Sequence, residues 1–156
     1  MSELSEQKEL ARAKNIVSRL FKVRRRSEYE IRSRLKLKEI SDSVAEKIIS
    51  ELKKQTLIDD RKFTYSWIAA RLTKPFGLRR ITFELKQKGI NDELIKEGVA
   101  FAKQNYDEKP QMRLLAKKYL SKHKRLDPQE QLKHVSDYLA RQGFSEENIE
   151  SVLPQL

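Results

Sequence analysis

Apolar residues recur every three or four positions along almost the whole chain, and strict alternation over the length of a strand is hard to find. This spacing predicts amphipathic helices and argues against a sheet. Glycine and proline are scarce, with four of each, and they fall mostly where such helices would end. The sequence therefore predicts an all-α protein of about nine helices.

One apolar pattern occurs three times, over residues 31–44, 81–94 and 135–149. The apolar positions Ile31, Leu35, Ile40 and Val44 return 50 residues later, and the third copy follows after a further 54 residues. A period of this size is typical of a small helical unit that buries its apolar face partly against neighbouring copies.

Three tandem repeats of three helices each account for this period. We place them at residues 1–56, 57–106 and 107–156, and no linker rich in Gly, Ser or Pro separates them. The predicted product is an elongated array with a long functional surface and no deep catalytic pocket. Three leucines at equivalent positions are predicted to be buried: Leu35, Leu85 and Leu139.

Local signals mark several helix ends. Ser27 and Glu30 have the spacing of a capping box, in which the hydroxyl and the carboxylate each bond a free backbone amide. Gly89 has the position of a left-handed cap at a helix C-terminus. Trp67 and Phe83 lie at helical spacings that are typical of core residues.

The composition limits the class of protein. The chain is 38% hydrophobic and 37% charged, which is a thin core for a compact body but suits a slender helical array. No apolar run approaches the length of a membrane span, and the N-terminus lacks the profile of a signal peptide. Without cysteine, disulfides and thiolate metal sites are excluded. We expect a cytoplasmic protein.

The net charge of +11 is segregated along the chain. Residues 11–40 carry a net charge of +8, residues 71–90 carry +5 and residues 111–125 carry +6, so the remainder of the chain carries −8. Charge that serves only solubility would be scattered. Segregated positive charge indicates a polyanionic partner.

The basic clusters occupy the same place in each repeat, the junction between its first and second helices. If the repeats stack in similar orientations, the clusters form one positive stripe. The alternative is that these are ordinary helix C-termini, where the helix dipole favours cations; recurrence at one repeat position favours the functional interpretation. The candidate stripe consists of Lys22, Arg24, Arg25, Arg26, Arg71, Lys74, Arg79, Arg80, Lys117, Lys118, Lys122, Lys124 and Arg125.

Aromatic residues do not interleave with these clusters in the way that a platform for stacking nucleic-acid bases requires. Sequence-specific base recognition is therefore not predicted, although a three-helix unit is similar to a helix-turn-helix module.

Few residues of the sequence suggest catalysis or metal binding. His123 and His134 are the only histidines, and no metal-ligand spacing or phosphate-binding glycine loop occurs. Asp59 and Asp60 suggest a Mg²⁺ site or a helix cap, and capping is the simpler interpretation. We expect a protein that is not an enzyme and has no cofactor.

The most distinctive residues lie between positions 26 and 90. They are Arg26-Ser27-Glu28-x-Glu30-Ile31, then Leu57-Ile58-Asp59-Asp60-x-x-Phe63 with Trp67 and Arg71, then Gly77-x-x-Arg80-Ile81-x-x-Glu84-Leu85-x-x-Lys88-Gly89-Ile90. This set resembles the RecX family, the regulatory proteins of bacterial RecA recombinase. One departure is Glu39, where the first unit of that family usually ends its second helix with glycine.

The resemblance implies tandem three-helix repeats that bind the groove of active RecA–DNA filaments. It also implies inhibition of strand exchange, ATP hydrolysis and coprotease activity, in the setting of DNA repair and the SOS response. The expected partners are the RecA filament and single- and double-stranded DNA, with no membrane, and the expected state is a monomer. The residues themselves leave a second function open, that of a stand-alone nucleic-acid-binding protein that acts through phosphate contacts.

Overall fold

A computed structural model describes residues 2–156, and within that range the chain forms nine α-helices, one short 3-10 helix and no strand. The predicted all-α class is confirmed. The helices are α1 (Glu3–Val23), α2 (Glu28–Leu37), α3 (Asp42–Lys54), α4 (Asp60–Leu72), α5 (Leu78–Gln87), α6 (Asp92–Asn105), α7 (Lys109–Lys122), α8 (Pro128–Arg141) and α9 (Glu146–Val152), and the 3-10 helix spans Leu153–Gln155.

The helices pack in three groups of three, each around its own apolar cluster. Leu35, Leu85 and Leu139 are fully buried, one in each cluster, as their equivalent positions in the repeat predict. The molecule exposes 10386 Å², whereas a compact monomer of its mass, 18.5 kDa, would expose roughly 8,200 Å². The excess area is that of an extended array of small units.

Many of the predicted helix ends are present. The Ser27 hydroxyl accepts from the Glu30 amide while the Glu30 carboxylate accepts from the Ser27 amide, which is the predicted capping box. Asp59 caps α4 by accepting from the amide of Lys62. Ser41 occupies the N-cap position of α3, but its hydroxyl bonds Glu9 of α1 and makes no cap bond.

Backbone carbonyls join each repeat to the next. The Ser27 hydroxyl, at the start of α2, donates to the carbonyl of Lys88, at the end of α5, over 2.7 Å. At the equivalent point of the next repeat, the Gly77 amide donates to the carbonyl of Gln142, at the end of α8, over 2.9 Å. The second helices of the three repeats therefore meet end to end, in the order α8, α5, α2.

Carboxylates add a further bond at both joints, the α5–α2 contact (the first joint) and the α8–α5 contact (the second joint). Asp60, at the start of α4, accepts from the first helical amide of α2, that of Glu28, over 2.9 Å. Glu108, just before α7, accepts from the first helical amide of α5, that of Leu78, over 2.7 Å, and also from the side-chain amide of Asn148. A carboxylate stabilises a helix N-terminus because it bonds a free amide and faces the positive end of the dipole.

Two glycines allow these helix ends to approach. Gly143 has a φ of 95°, and a methyl group there would lie 2.5 Å from the backbone nitrogen of Arg80. Gly89 has a φ of 71° and lies directly against the side chain of Tyr29. Glu39 also has a positive φ, of 56°, so the left-handed cap is present in the first repeat although glycine is absent. That helix end abuts no further repeat, so only the backbone conformation has to be satisfied.

Replacing Gly143 by alanine is expected to destabilise the protein by about 2–5 kcal/mol. A left-handed conformation costs an L-residue about 1–2 kcal/mol, and forcing a methyl group into a closed contact costs about 1–3 kcal/mol more. Glu39→Ala is the matched control, since it keeps the left-handed position without a facing repeat. Urea denaturation of the parent and both variants measures the free energy of unfolding. An equal loss in the two variants would contradict this account of the joint.

Candidate nucleic-acid interface

The thirteen basic residues of the candidate stripe fall into two groups in the structure. Four of them, Arg24, Arg26, Arg71 and Arg80, are partly buried and make internal contacts. The other nine are exposed and have no carboxylate within 4 Å among residues 2–156: Lys22, Arg25, Lys74, Arg79, Lys117, Lys118, Lys122, Lys124 and Arg125.

Glu30 of α2 organises the first group of internal contacts. The Arg24 guanidinium donates hydrogen bonds from both terminal nitrogens to its carboxylate, with nitrogen–oxygen distances of 2.5 and 3.0 Å. Lys88 of the second repeat donates to the same carboxylate over 3.1 Å, and Arg26 lies 3.8 Å from it. The capping box therefore doubles as an ion-pair centre between the first two repeats.

Glu84 of α5 organises the second group. It accepts from the Arg71 guanidinium, with Nε to Oε2 at 2.8 Å, and Arg80 Nε lies 3.6 Å from it. Both guanidinium groups lie over the ring of Phe76, 4.3 Å from its centroid for Arg71 and 3.8 Å for Arg80.

Trp67 lies between these two centres. Three cations face its ring: Arg24 at 5.3 Å from the centroid, Arg71 at 5.7 Å and Lys88 at 4.9 Å. Its indole nitrogen donates to Glu84 over 3.0 Å. Trp67 is partly buried and packs on the second apolar cluster, as predicted, but its ring is also a cation–π surface on which two repeats meet.

The electrostatics of this region favour ionised carboxylates. Burial alone would raise the pKa of Glu30, but hydrogen bonds from Arg24, Ser27 and Lys88 outweigh it and lower that pKa to about 2. Burial alone would also raise the pKa of Glu84, but the hydrogen bonds from Arg71 and Trp67 outweigh burial, so that this pKa lies below its usual value. The guanidinium groups bound to these carboxylates are partly buried and already donate hydrogen bonds within the protein, so they are weaker candidates for phosphate contacts than the exposed cations are.

The structure connects only part of the predicted stripe. The first two clusters meet at the ring of Trp67. Within residues 2–156, no hydrogen bond or ion pair joins the side chains of the third cluster, at the end of α7, to the other two. A single continuous stripe remains a prediction, and the nine exposed cations are its candidates for contact with a polyanion.

Comparison with known proteins identifies the family. The model for RecX, first three-helix domain, matches residues 13–52, and the model for RecX, second three-helix domain, matches residues 59–99. A protein of Prosthecochloris aestuarii named regulatory protein RecX is 32% identical over 135 residues, which cover 86% of this chain and 86% of that protein. This chain belongs to the RecX family.

Other relatives and solved structures agree. The regulatory protein RecX of Bacillus licheniformis is 34% identical over 134 residues, which are 85% of this chain and 50% of that longer protein. A crystal structure of RecX from Lactobacillus salivarius superimposes with a TM-score of 0.83 at 19% identity, over 96% of this chain and 97% of that one. The RecX fold therefore extends through the third repeat, where the sequence resemblance is weakest.

The sequence did not predict the ion pairs of this region. The pairing of Arg24, Arg71 and Lys88 with Glu30 and Glu84 depends on contacts between elements that are distant in sequence. One signal was available, because Arg26 and Arg80 each precede a glutamate by four residues, which is the spacing of a helical ion pair.

Within residues 2–156, no helix is long and apolar enough to cross a bilayer. The same residues contain no group of three or more side chains arranged to hold a metal ion. Asp59 and Asp60 instead bond the amides of Lys62 and Glu28.

Arg24 and Arg25 are neighbours with opposite expected roles. Arg24→Gln removes a partly buried hydrogen-bonded pair and should lower the free energy of unfolding by about 1 kcal/mol, with little effect on DNA affinity. Arg25→Gln should leave stability unchanged but lower DNA affinity and reduce the slope of log affinity against log salt, by about 0.7 per lost phosphate contact on a single strand. Thermal melts and salt titrations of binding measure both, and the reverse assignment would contradict this division of the cluster.

Glu30 should make stability depend on pH in the acid range. Its pKa in the folded state is about 2, below the roughly 4.3 of an unfolded glutamate. Its contribution is therefore present above pH ~4.3 and is lost as the pH falls toward 2. Glu30→Gln should be less stable than the parent at pH 7 but lose less stability between pH 5 and 3. Glu93→Gln, at an exposed position without an ion pair, is the control, and parallel pH profiles for parent and Glu30→Gln would disprove the assignment.

Proposed function

We propose that this protein is a regulator that binds RecA–DNA nucleoprotein filaments and inhibits the recombinase, ATPase and coprotease activities of RecA. The observation that carries the proposal is membership of the RecX family, whose relatives from several bacteria are named regulatory proteins. The proposal also takes residues 1–56, 57–106 and 107–156 as the three functional repeats.

The shape of the array supports binding to a filament. The second helices α2, α5 and α8 have 10, 10 and 14 residues and meet end to end. At 1.5 Å per residue their combined length is roughly 50 Å. A molecule of this length can contact more than one subunit of a helical filament at once. Its separate contacts then act as linked sites with a high effective concentration.

The charge distribution supports proximity to nucleic acid. Nine exposed cations of the candidate stripe have no carboxylate partner in the described part of the chain, residues 2–156, so their charge is available to phosphates. Release of counterions from neutralised phosphates would make binding sequence-independent and sensitive to salt. A regulator that follows the filament wherever it forms requires affinity of this kind.

A stand-alone nucleic-acid-binding function is the second candidate, and the same nine cations favour it. Both functions predict affinity for DNA. Only the first predicts that a recombinase-coated strand is bound much more tightly than naked DNA at the same salt concentration.

An ATPase titration distinguishes the two functions. The full chain is expected to suppress RecA ATP hydrolysis on single-stranded DNA at concentrations well below those that coat the DNA itself, since each molecule contacts several filament subunits. Co-sedimentation with RecA filaments in ATP, beside naked single strands at equal salt, gives the matching affinities. Inhibition that appears only when the protein saturates the DNA would favour simple competition for the strand and thus the second function.

A further inference from the structure

Phe83 is an exposed aromatic residue in the middle of α5. The sequence predicts it to be a core residue, and this prediction is wrong, because 60% of Phe83 is exposed. Helix α5 turns Leu78, Ile81 and Leu85 to the core, and Phe83 lies on the opposite side. No other aromatic ring stacks on it among the described residues, so its face is free.

Two cations share the outward face of α5 with this ring. Arg79 precedes Phe83 by four residues and Lys86 follows it by three, which are the spacings of neighbours on a helix surface. Arg79 is exposed and lacks a carboxylate partner within residues 2–156. Lys86 lies 3.7 Å from Asp92, and both side chains are more than half exposed, so the solvent weakens that pair.

The position of α5 in the array extends this surface. Helix α5 is the central one of the three second helices that meet end to end. Beyond its C-terminus the ring of Tyr29, which is 53% exposed, lies against Gly89. An arginine, an aromatic ring and a lysine therefore follow one another along α5, and a second aromatic residue stands where α2 begins.

We propose that Phe83, with Arg79 and Lys86, is a stacking site for single-stranded nucleic acid. The face of Phe83 receives a base, and the two cations hold the phosphates on either side of it. Base stacking on an aromatic ring tolerates any sequence because every base has a π face. This site deepens the proposed function and rests on it for the identity of the polyanion, but binding to naked strands tests it without RecA.

The charges decide between nucleic acid and an apolar protein partner. A protein-docking patch is a contiguous apolar area with few charges at its centre. Phe83 is instead a single ring flanked by positive charge, which fits a ligand that alternates planar rings with anions.

The test compares Phe83→Ala, Phe83→Leu and Phe83→Tyr with the parent chain. Binding is measured by fluorescence anisotropy with a labelled oligothymidine and with an abasic strand of equal length and charge. Loss of one stacked base should reduce affinity for oligothymidine about 5- to 100-fold in the Ala and Leu variants. Phe83→Tyr should bind like the parent, and all four proteins should bind the abasic strand alike. Unchanged thermal midpoints are expected because the side chain is exposed.

A direct readout comes from Phe83→Trp. Trp67 is the only tryptophan of the chain, so the emission added by this variant reports on the new indole. Oligothymidine should quench the added emission, and the abasic strand should leave it unchanged.

Several results would overturn the proposal. They are absence of binding to oligothymidine at low salt, retained affinity in Phe83→Leu, or an equal loss on the abasic strand. Loss of RecA inhibition in Phe83→Ala with unchanged binding to naked strands would show a protein-docking surface instead. If the parent chain does not inhibit RecA at all, the proposed function fails, while the stacking result stands or falls on the naked strands alone.

Discussion

The structure depends on how α2 and α5, the second helices of the first two repeats, obtain partners for their first amides. An isolated helix leaves its first amides without acceptors, and here the following repeat supplies an acceptor for the first amide of each. The carboxylate of Asp60 reaches the start of α2, and the carboxylate of Glu108 reaches the start of α5. Because these acceptors belong to a different repeat, each helix is complete only when the next unit is docked. This dependence joins three small units, each with a thin core, into one array.

The two joints reach the same geometry by different chemistry. At the first joint the Ser27 hydroxyl donates to the C-terminal end of α5, and the ion pairs of Glu30 with Arg24 and Lys88 add stability. At the second joint Gly77 places its backbone directly on the end of α8, and a side chain on Gly77 would overlap the carbonyl group of Gly143. A glycine is thus needed where backbones touch, and the exposed helix end at Glu39 shows that a left-handed cap alone does not require one.

The sequence predicted the features that local rules determine. Leu35, Leu85 and Leu139 follow from the apolar period, and the capping box at Ser27 follows from residue type and spacing. Phe83 was assigned to the core wrongly, because it lies two residues from both Ile81 and Leu85, a spacing that puts it on the opposite face of α5. The different environments of Arg24 and Arg25 could not be predicted either, because Arg24 contacts a carboxylate and an indole ring that the fold brings from other helices.

The basic residues thus divide into a partly buried group that joins the repeats and an exposed group on the outer surface. The arginines between the repeats form ion pairs with Glu30 and Glu84. Their planar guanidinium groups make paired hydrogen bonds to these carboxylates and also stack on aromatic rings. The nine cations of the candidate stripe that remain exposed, six lysines and three arginines, lie on the helices and on the short connections between them. Pre-ordering of a surface lowers the conformational entropy that binding costs. The interactions that hold the repeats together therefore also fix the helices that carry the exposed cations of the proposed interface.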